Sequence, residues 1–379
     1  MSATPDPRAY VVGVGDAEGL PAGTTSLEGL VFASTTRALA DAGLQRDDVD
    51  AIVIAAADQT DGRAISSMLT AGPAGAYLND EINIASSPGH AFAQACMQIE
   101  SGVHRRVLVG SWGKASEIGG YGPEDAERLS LEPYYDRDSG MSRLAALGMQ
   151  AGLYRQGRAE AAEAAVAVAV KNHANGALPG GLPVTAEDVA ASPLVAEPLR
   201  SLEVARPTDG AFTFVLSAEP TRDGRSVAVT GMAWNAEAYR LSDRELDTAP
   251  HLRLAAANAL RQAGIDDPAA GIDVWELADE SADAELIAYE AVGLCRAGGA
   301  CELALAGETG RDAAYPVNPL GGAVAGEPPF GGPMRRLVRA SRCVRGEAPG
   351  IRPASRVFVQ IASGFAGQFQ TAFVLEEVR

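Results

Sequence analysis

The 379-residue sequence predicts an α/β chain built twice on one β-α-β plan, with a long insertion in its first half. Three observations carry this. Short β-rich runs alternate with segments of helical periodicity, one stretch is echoed far downstream, and a single long excursion interrupts the alternation. Composition sets the frame: 47% hydrophobic residues and a mean hydropathy near zero describe a folded globular chain. A chain of this length buries roughly three quarters of its unfolded surface, so it needs no disulfide or metal staple.

Ala9 to Gly15 reads as a β-rich run ending in glycines, Ser26 to Ala42 as a helix, and Asp50 to Ala57 as a buried strand. Gly13 and Gly15 lack the third glycine of a dinucleotide loop, and Asp16 and Glu18 would repel phosphate there, so a strand-end turn is expected. Ala38 to Leu44 followed by Asp50 to Val53 is echoed by Ala259 to Ile265 followed by Asp273 to Trp275. A second echo pairs helix Ala91 to Ser101 and strand Arg106 to Ser111 with helix Met334 to Val344 and strand Arg356 to Ile361. The first half then covers residues 1–225, with its insertion at about 114–205, and the second covers 226–379. The insertion holds one Ala-rich helix, Ala159 to Asn175, and segments of this kind carry substrate or oligomer contacts.

Thirty-one Lys and Arg against 49 Asp and Glu give a net charge of −18, which repels nucleic acid and anionic lipid. Cys96, Cys295, Cys301 and Cys343 form no CxxC pair and have no His at ligand spacing, so no metal site is expected and they read as reduced core thiols. Met1 to Tyr10 lacks the apolar run of a signal peptide, and no run reaches the ~18 apolar residues of a membrane span. A cytoplasmic location is the expectation.

Further motifs narrow the reading: Val170 to Gly176 (VKNHANG), Pro183 to Val189 (PVTAEDV), Pro198 to Arg200, Thr208 to Ala211 (TDGA) and Val317 to Gly322 (VNPLGG). Together with the duplication they resemble, almost end to end, the thiolase superfamily, and within it the sterol-carrier-protein-associated, lipid-transfer-protein-like members. The resemblance implies a five-layered α-β-α-β-α fold with an inserted loop domain. It also implies dimerisation, as a homodimer or with another thiolase-like chain, with the apolar strand Val107 to Gly110 near the two-fold contact.

The family's catalytic positions are altered here. Such proteins place a nucleophilic Cys at the head of the helix ending Ile-x-x-Gly, where the helix N-terminus favours the thiolate. Counting back from Ile99 and Gly102 puts Ala85 there, while Cys96 falls on the buried face of the same helix. The family's Glu-x-His-Asp-Ala-Phe stretch corresponds to Glu276 to Ser281, with Ala278 for the His. Its Gly-His-Pro corresponds to Gly326-Glu327-Pro328, and its Cys-x-Gly to Ala362-Ser363-Gly364. On that alignment the two-step covalent route is excluded. A side branch without the Cys performs retro-aldol cleavage of steroid side-chain acyl-CoAs, using two tyrosines and a small OB-fold and zinc-ribbon partner. This chain shares Gly326 and Glu327 with that branch but has Ala278 and Pro329 where the tyrosines align; Tyr134 and Tyr135 lie in the insertion.

What remains for chemistry is carboxylate. Glu327, Asp279, Glu280 and Glu276 are candidates, since two carboxyls sharing an apolar pocket split their pKa values into a base and an acid. Helix capping or pairing with Arg335 and Arg336 is the alternative. Ser86 and His90 flank Ala85 as further candidates, with Ser87 as N-cap before Pro88 at the first helical position. Two functions follow: a thiolase-like subunit of a hetero-oligomeric acyl-CoA complex, or a non-covalent acyl-CoA aldolase or lyase. No cofactor is expected to be bound covalently, and a coenzyme A thioester is the implied substrate.

Overall fold

A computed structural model describes residues 9–18, 23–63, 65, 67–117, 127–176 and 183–378. Most of the amino-terminal run read for a signal peptide therefore lies outside the described residues, as do 118–126 and 177–182 of the insertion. The first half contributes β1 (Ala9–Glu18), α1 (Leu27–Ala42), β2 (Ala51–Ala55), β3 (Asp80–Asn83), α2 (Pro88–Glu100) and β4 (Arg106–Lys114). The insertion carries α3 (Arg143–Arg155) and α4 (Ala161–Gly176) before β5 (Asp209–Ser217). The second half follows with β6 (Val227–Ala236), α5 (Pro250–Gln262), β7 (Val274–Glu276), α6 (Ala282–Ala291), α7 (Met334–Val344), β8 (Arg356–Ser363) and β9 (Phe369–Glu377).

The strands form one nine-stranded sheet in the order β3-β2-β4-β5-β1-β6-β9-β8-β7. Its halves meet where Ala9, Tyr10 and Val11 pair antiparallel with Val229, Ala228 and Val227. The helices α2 and α7 lie between the half-sheets: Phe92 packs edge-on against Phe214 of one half and Phe373 of the other, at 5.4 and 5.2 Å. That central core also takes Leu337 and Val338 of α7 with Val53 and Val109 on one side and Val357 and Val359 on the other. Separate cores lie under α1 and under α4, α5 and α6, which completes five layers, α-β-α-β-α. None of the described helices is long and apolar enough to cross a membrane.

The duplication is visible in hydrogen bonds. Asp50 accepts the backbone N–H groups of Arg105 and Arg106 at 2.7 and 2.9 Å, and Asp273 accepts those of Ser355 and Arg356 at 2.8 and 2.9 Å. In both halves a β-bulge precedes a glycine pressed against the following helix. A Cβ on Gly13 would sit 2.3 Å from the Ala38 carbonyl oxygen, and one on Gly231 would sit 2.2 Å from that of Ala259. The next N–H donates to a helix side chain each time, Val14 to Asp41 and Met232 to Gln262, both at 2.9 Å. The strand-end turn expected at Gly13 and Gly15 is therefore corrected: both lie inside β1, and their missing side chains let α1 pack against the strand.

Val107 to Gly110 lies inside the sheet, because β4 is buried and hydrogen-bonded on both sides, to β2 and β5. The sheet edge of this half is β3, paired only to β2 and exposed along its length. Beside it Met68, Tyr77, Leu78 and Ile82 are 82, 62, 87 and 39% exposed.

Candidate active site

The start of α2 forms one wall of a cavity of about 260 Å³. Ser87 caps the helix, accepting the N–H of Gly89 at 3.1 Å, and Pro88 begins it, so Ala85 and Ser86 are delivered to the cavity just ahead of the first turn. Ser86 Oγ lies 2.9 Å from Nδ1 of His90, one turn on. The His90 ring sits edge-to-face with Phe369, its Nε2 has no hydrogen-bond partner among the described residues, and burial lowers its pKa, which keeps the imidazole neutral. Cys96 is fully buried further along α2 and lines none of the cavity.

Glu327 to Phe330 also line the cavity, in a turn held by side-chain hydrogen bonds. Asn318 stands at φ 48°, accepts the N–H of Leu277 at 3.0 Å and donates to Glu285 at 2.7 Å. Asp279 accepts the N–H groups of Ala323 and Val324 at 2.7 and 3.2 Å and the side chain of Asn172 at 2.9 Å. Gly322 packs so closely on that carboxylate that a Cβ would fall 1.8 Å from Oδ2. The VNPLGG and VKNHANG motifs are thus two sides of one buried polar frame, and the frame aims Glu327. The Glu327 backbone is fixed by Arg206 and Thr208, and its side chain lines the cavity.

Arg336 on α7 sits between the two acids. Its Nη2 bonds Asp279 at 3.2 Å, its Nε bonds the Leu277 carbonyl at 3.0 Å, and its Nη1 approaches Glu327 Oε1 at 3.1 Å, off the line of a hydrogen bond. The carboxylate of Glu327 is therefore ion-paired and still open to a ligand. Of the other acids, Glu280 lines the cavity, whereas Asp279 and Glu276 lie behind its wall. Of the four candidate acids, Glu327 and Glu280 thus line the cavity, together with Glu127 of the insertion. Asp279 is fully buried and spent on holding the loop; desolvation raises its pKa against the pull of Arg336. Glu276 is also fully buried, with no partner for either oxygen among the described residues, and desolvation pushes it up to about 7 against the pull of Arg339 and Arg336. Pairing with Arg335 takes a different form: that side chain reaches Glu18 at 3.3 Å and the carbonyl of Gly326.

The insertion closes the cavity with Glu127, Leu129, Ser130 and Arg143. Tyr134 and Tyr135 are 85 and 72% exposed and line none of it. Ser363, at the end of β8, is in the cavity lining at 7% exposure, and its hydroxyl is fully buried with no partner among the described residues. A buried hydroxyl left unpaired costs about 1–3 kcal/mol. In the sequence Ser363 was visible only as the middle of the altered Cys-x-Gly loop, with no pattern to single it out. Among the described residues no cluster of three or more His, Cys, Asp or Glu could hold a metal ion.

Residues 234–377 match the family model described as thiolase C-terminal domain-like. The chain is 28% identical over 336 residues to 17-hydroxy-3-oxo-4-pregnene-20-carboxyl-CoA lyase of Mycobacterium tuberculosis, which spans 83% of this chain and 86% of the lyase. Among solved structures it is similar to the Ltp2-ChsH2(DUF35) aldolase, with a TM-score of 0.81, 22% identity, and coverage of 98% of this chain and 99% of the other. A monomeric SCP2-thiolase like protein type 1 from Mycobacterium smegmatis gives 0.69 at 18% identity, covering 99% and 78%. An acetyl-CoA acetyltransferase from Syntrophomonas wolfei gives 0.71 at 15% identity, covering 98% and 100%. The five-layered architecture is therefore a thiolase-like fold.

Proposed function

We propose that this chain, thiolase-like in fold and similar over residues 234–377 to the thiolase C-terminal domain, cleaves a carbon–carbon bond in a 3-hydroxyacyl-CoA thioester without a covalent enzyme intermediate. The observation that carries this is the placement of Glu327, aimed into the cavity that Ala85 also lines and attended by Arg336. A methyl group cannot attack a thioester, and a positioned carboxylate can take a proton. In the proposed step the Glu327 carboxylate accepts the proton of the substrate's 3-hydroxyl. The O–H electron pair forms a carbonyl, the C2–C3 bond breaks, and its electron pair passes into the thioester as an enolate. The proton on Glu327 then returns to C2. A lyase acting on a hydroxylated carboxyl-CoA and an aldolase among the relatives support this class of reaction.

The chain works, in this reading, as the thiolase-like subunit of a hetero-oligomer with a small OB-fold and zinc-ribbon partner; the aldolase neighbour carries a DUF35 companion. The exposed β3 edge, with Leu78 and Ile82, is where we place a homodimer or thiolase-like heterodimer contact. Glu327→Gln keeps shape and hydrogen bonding but removes proton acceptance. It should lower the cleavage rate of the reconstituted complex about 10²- to 10⁴-fold with little change in folding. An unchanged rate would retire the catalytic role and leave the chain as a supporting subunit. Intact-mass analysis after incubation with acetyl-CoA and longer acyl-CoAs should show no adduct. A stable acyl group on Cys96 or Ser86 would overturn the non-covalent route.

A further inference from the structure

Two adjacent side chains of α4, Lys171 and Asn172, reach from the insertion into the frame behind Glu327. Asn172 is fully buried and lines none of the cavity. Its amide nitrogen donates to two acids at once, to Asp279 Oδ2 at 2.9 Å and to Glu285 Oε2 at 2.6 Å, while its oxygen accepts Lys171 Nζ at 2.6 Å. These partners fix which way the amide faces, since only its nitrogen can serve two carboxylates. Each acid also has its own cation: Lys171 reaches Glu285 Oε1 at 2.9 Å, and Arg336 reaches Asp279 Oδ1 at 3.2 Å. Lys171, Glu285, Asn172, Asp279, Arg336 and Glu327 therefore form one continuous chain of polar contacts, from α4 in the first half to α7 in the second.

We infer that Asn172 is a positioning residue for Glu327, through which the seating of the insertion sets the geometry of the proton acceptor. The guanidinium of Arg336 is planar and is held by the Leu277 carbonyl at Nε and by Asp279 at Nη2, so the place of the Asp279 carboxylate fixes where Nη1 meets Glu327. Asp279 Oδ2 is in turn held by Asn172 and by the N–H of Val324 at 3.2 Å, hard against Gly322. Without the Asn172 amide two acids would face each other across the gap it fills, and Glu285 already acts on Asp279 as a like charge. Asp279 would then turn, carry Arg336 with it and leave Glu327 off its aim. The insertion also lines the cavity with Leu129 and Arg143, so the wall that meets a ligand and the acid that acts on it share one support. Asn172 itself acts only through Asp279 and Arg336.

This inference rests on the cleavage reading above, and a double-variant cycle separates the two. The reconstituted complex is given 3-hydroxybutyryl-CoA and 3-hydroxydecanoyl-CoA, and release of acetyl-CoA is followed per folded chain. Asn172→Leu, which branches alike but donates nothing, should lower kcat about tenfold and change KM by less than about twofold. In a Glu327→Gln background the same substitution should cause no further loss, because the group it positions can no longer take a proton. A purely structural Asn172 would lower the rate by the same factor in both backgrounds or would raise KM; either result overturns the inference and leaves Glu327 standing. An Asn172→Leu complex that turns over at the wild-type rate overturns it as well. Should that variant not fold, Lys171→Met at the partly buried end of the chain of contacts asks the same question, with a loss of about threefold expected in the wild-type background and none beside Glu327→Gln. Equal losses in both backgrounds overturn the inference. If the wild-type complex releases no acetyl-CoA, or if Glu327→Gln releases it at the wild-type rate, the cleavage reading falls and the inference with it.

Discussion

The two halves of this chain solve their backbone problems alike and use their central helices differently. Each half has a bulged strand whose free N–H is accepted by a helix side chain, Asp41 in one and Gln262 in the other. Each half also has an aspartate, Asp50 or Asp273, that accepts two N–H groups at the start of a parallel strand. The central helices diverge. Along α2 the residues up to Ile99 carry no ionised side chain at neutral pH, whereas α7 carries Arg335, Arg336, Arg339 and Arg342 in an equivalent place between the half-sheets. Three of those arginines reach acidic partners: Arg335 to Glu18, Arg336 to Asp279 and Glu327, and Arg342 to Asp16. The lesson is that duplication preserved what satisfies the main chain and released the central helices, of which α7 became charged and α2 stayed neutral.

The largest effect expected from breaking that asymmetry is at Arg336. Arg336→Met leaves Asp279 buried without its cation and should cost about 3–5 kcal/mol in urea denaturation. Gln98→Met on α2, where the buried amide oxygen has no partner among the described residues, should cost under about 1.5 kcal/mol. Similar losses at both sites would mean that the arginine is packing and not pairing.

A second test uses pH. Glu276 holds its proton to about pH 7 in the folded chain, whereas an unfolded Glu releases it near 4.5. Across that window the unfolded state binds fewer protons, so stability contributed by this group falls as pH rises and levels off above 7. The loss is at most about 3 kcal/mol, and Glu276→Gln should abolish it. Guanidinium denaturation at pH 5 and pH 8 should show the wild type weakening and the variant less changed. A variant that loses stability equally between those pH values would sink the assignment.

The smallest effect sharpens the similarity between the halves. Gln262→Leu removes the acceptor of the Met232 N–H and should cost about 1 kcal/mol. Gln262→Asp is too short to reach that N–H and should not restore it, in contrast to Asp41, which also binds Arg225 and Arg345 at 2.7 Å. Thermal denaturation of these two variants against the wild type decides whether reach or charge matters at the bulge.

Much of this was legible in the sequence because it depends on local pattern. The echo of Ala38 to Leu44 in Ala259 to Ile265 marked the paired helices, and Ser87-Pro88 marked the start of α2 to the residue. Glu327 was visible as an acid in a Pro- and Gly-dense turn. What stayed hidden depends on contacts between distant segments. Nothing local in Asp279 shows that its oxygens are consumed by Ala323 and Val324, and nothing local in Ser363 shows that its hydroxyl is buried alone. The position of β3 at the sheet edge follows from strand order, to which an apolar run such as Val107 to Gly110 gives no clue.

The cavity's lining runs from Ala57 to Phe369 and draws on the first half, the insertion and the second half. Neither half alone can contain it. In folding, such a site closes late, because loop-closure entropy must be spent on each long connection before the walls meet. A ligand that binds there will therefore report on completion of the whole chain. Proteolytic nicks within the insertion or separate expression of the halves should silence binding until the pieces reassociate, even when each retains its helices and strands.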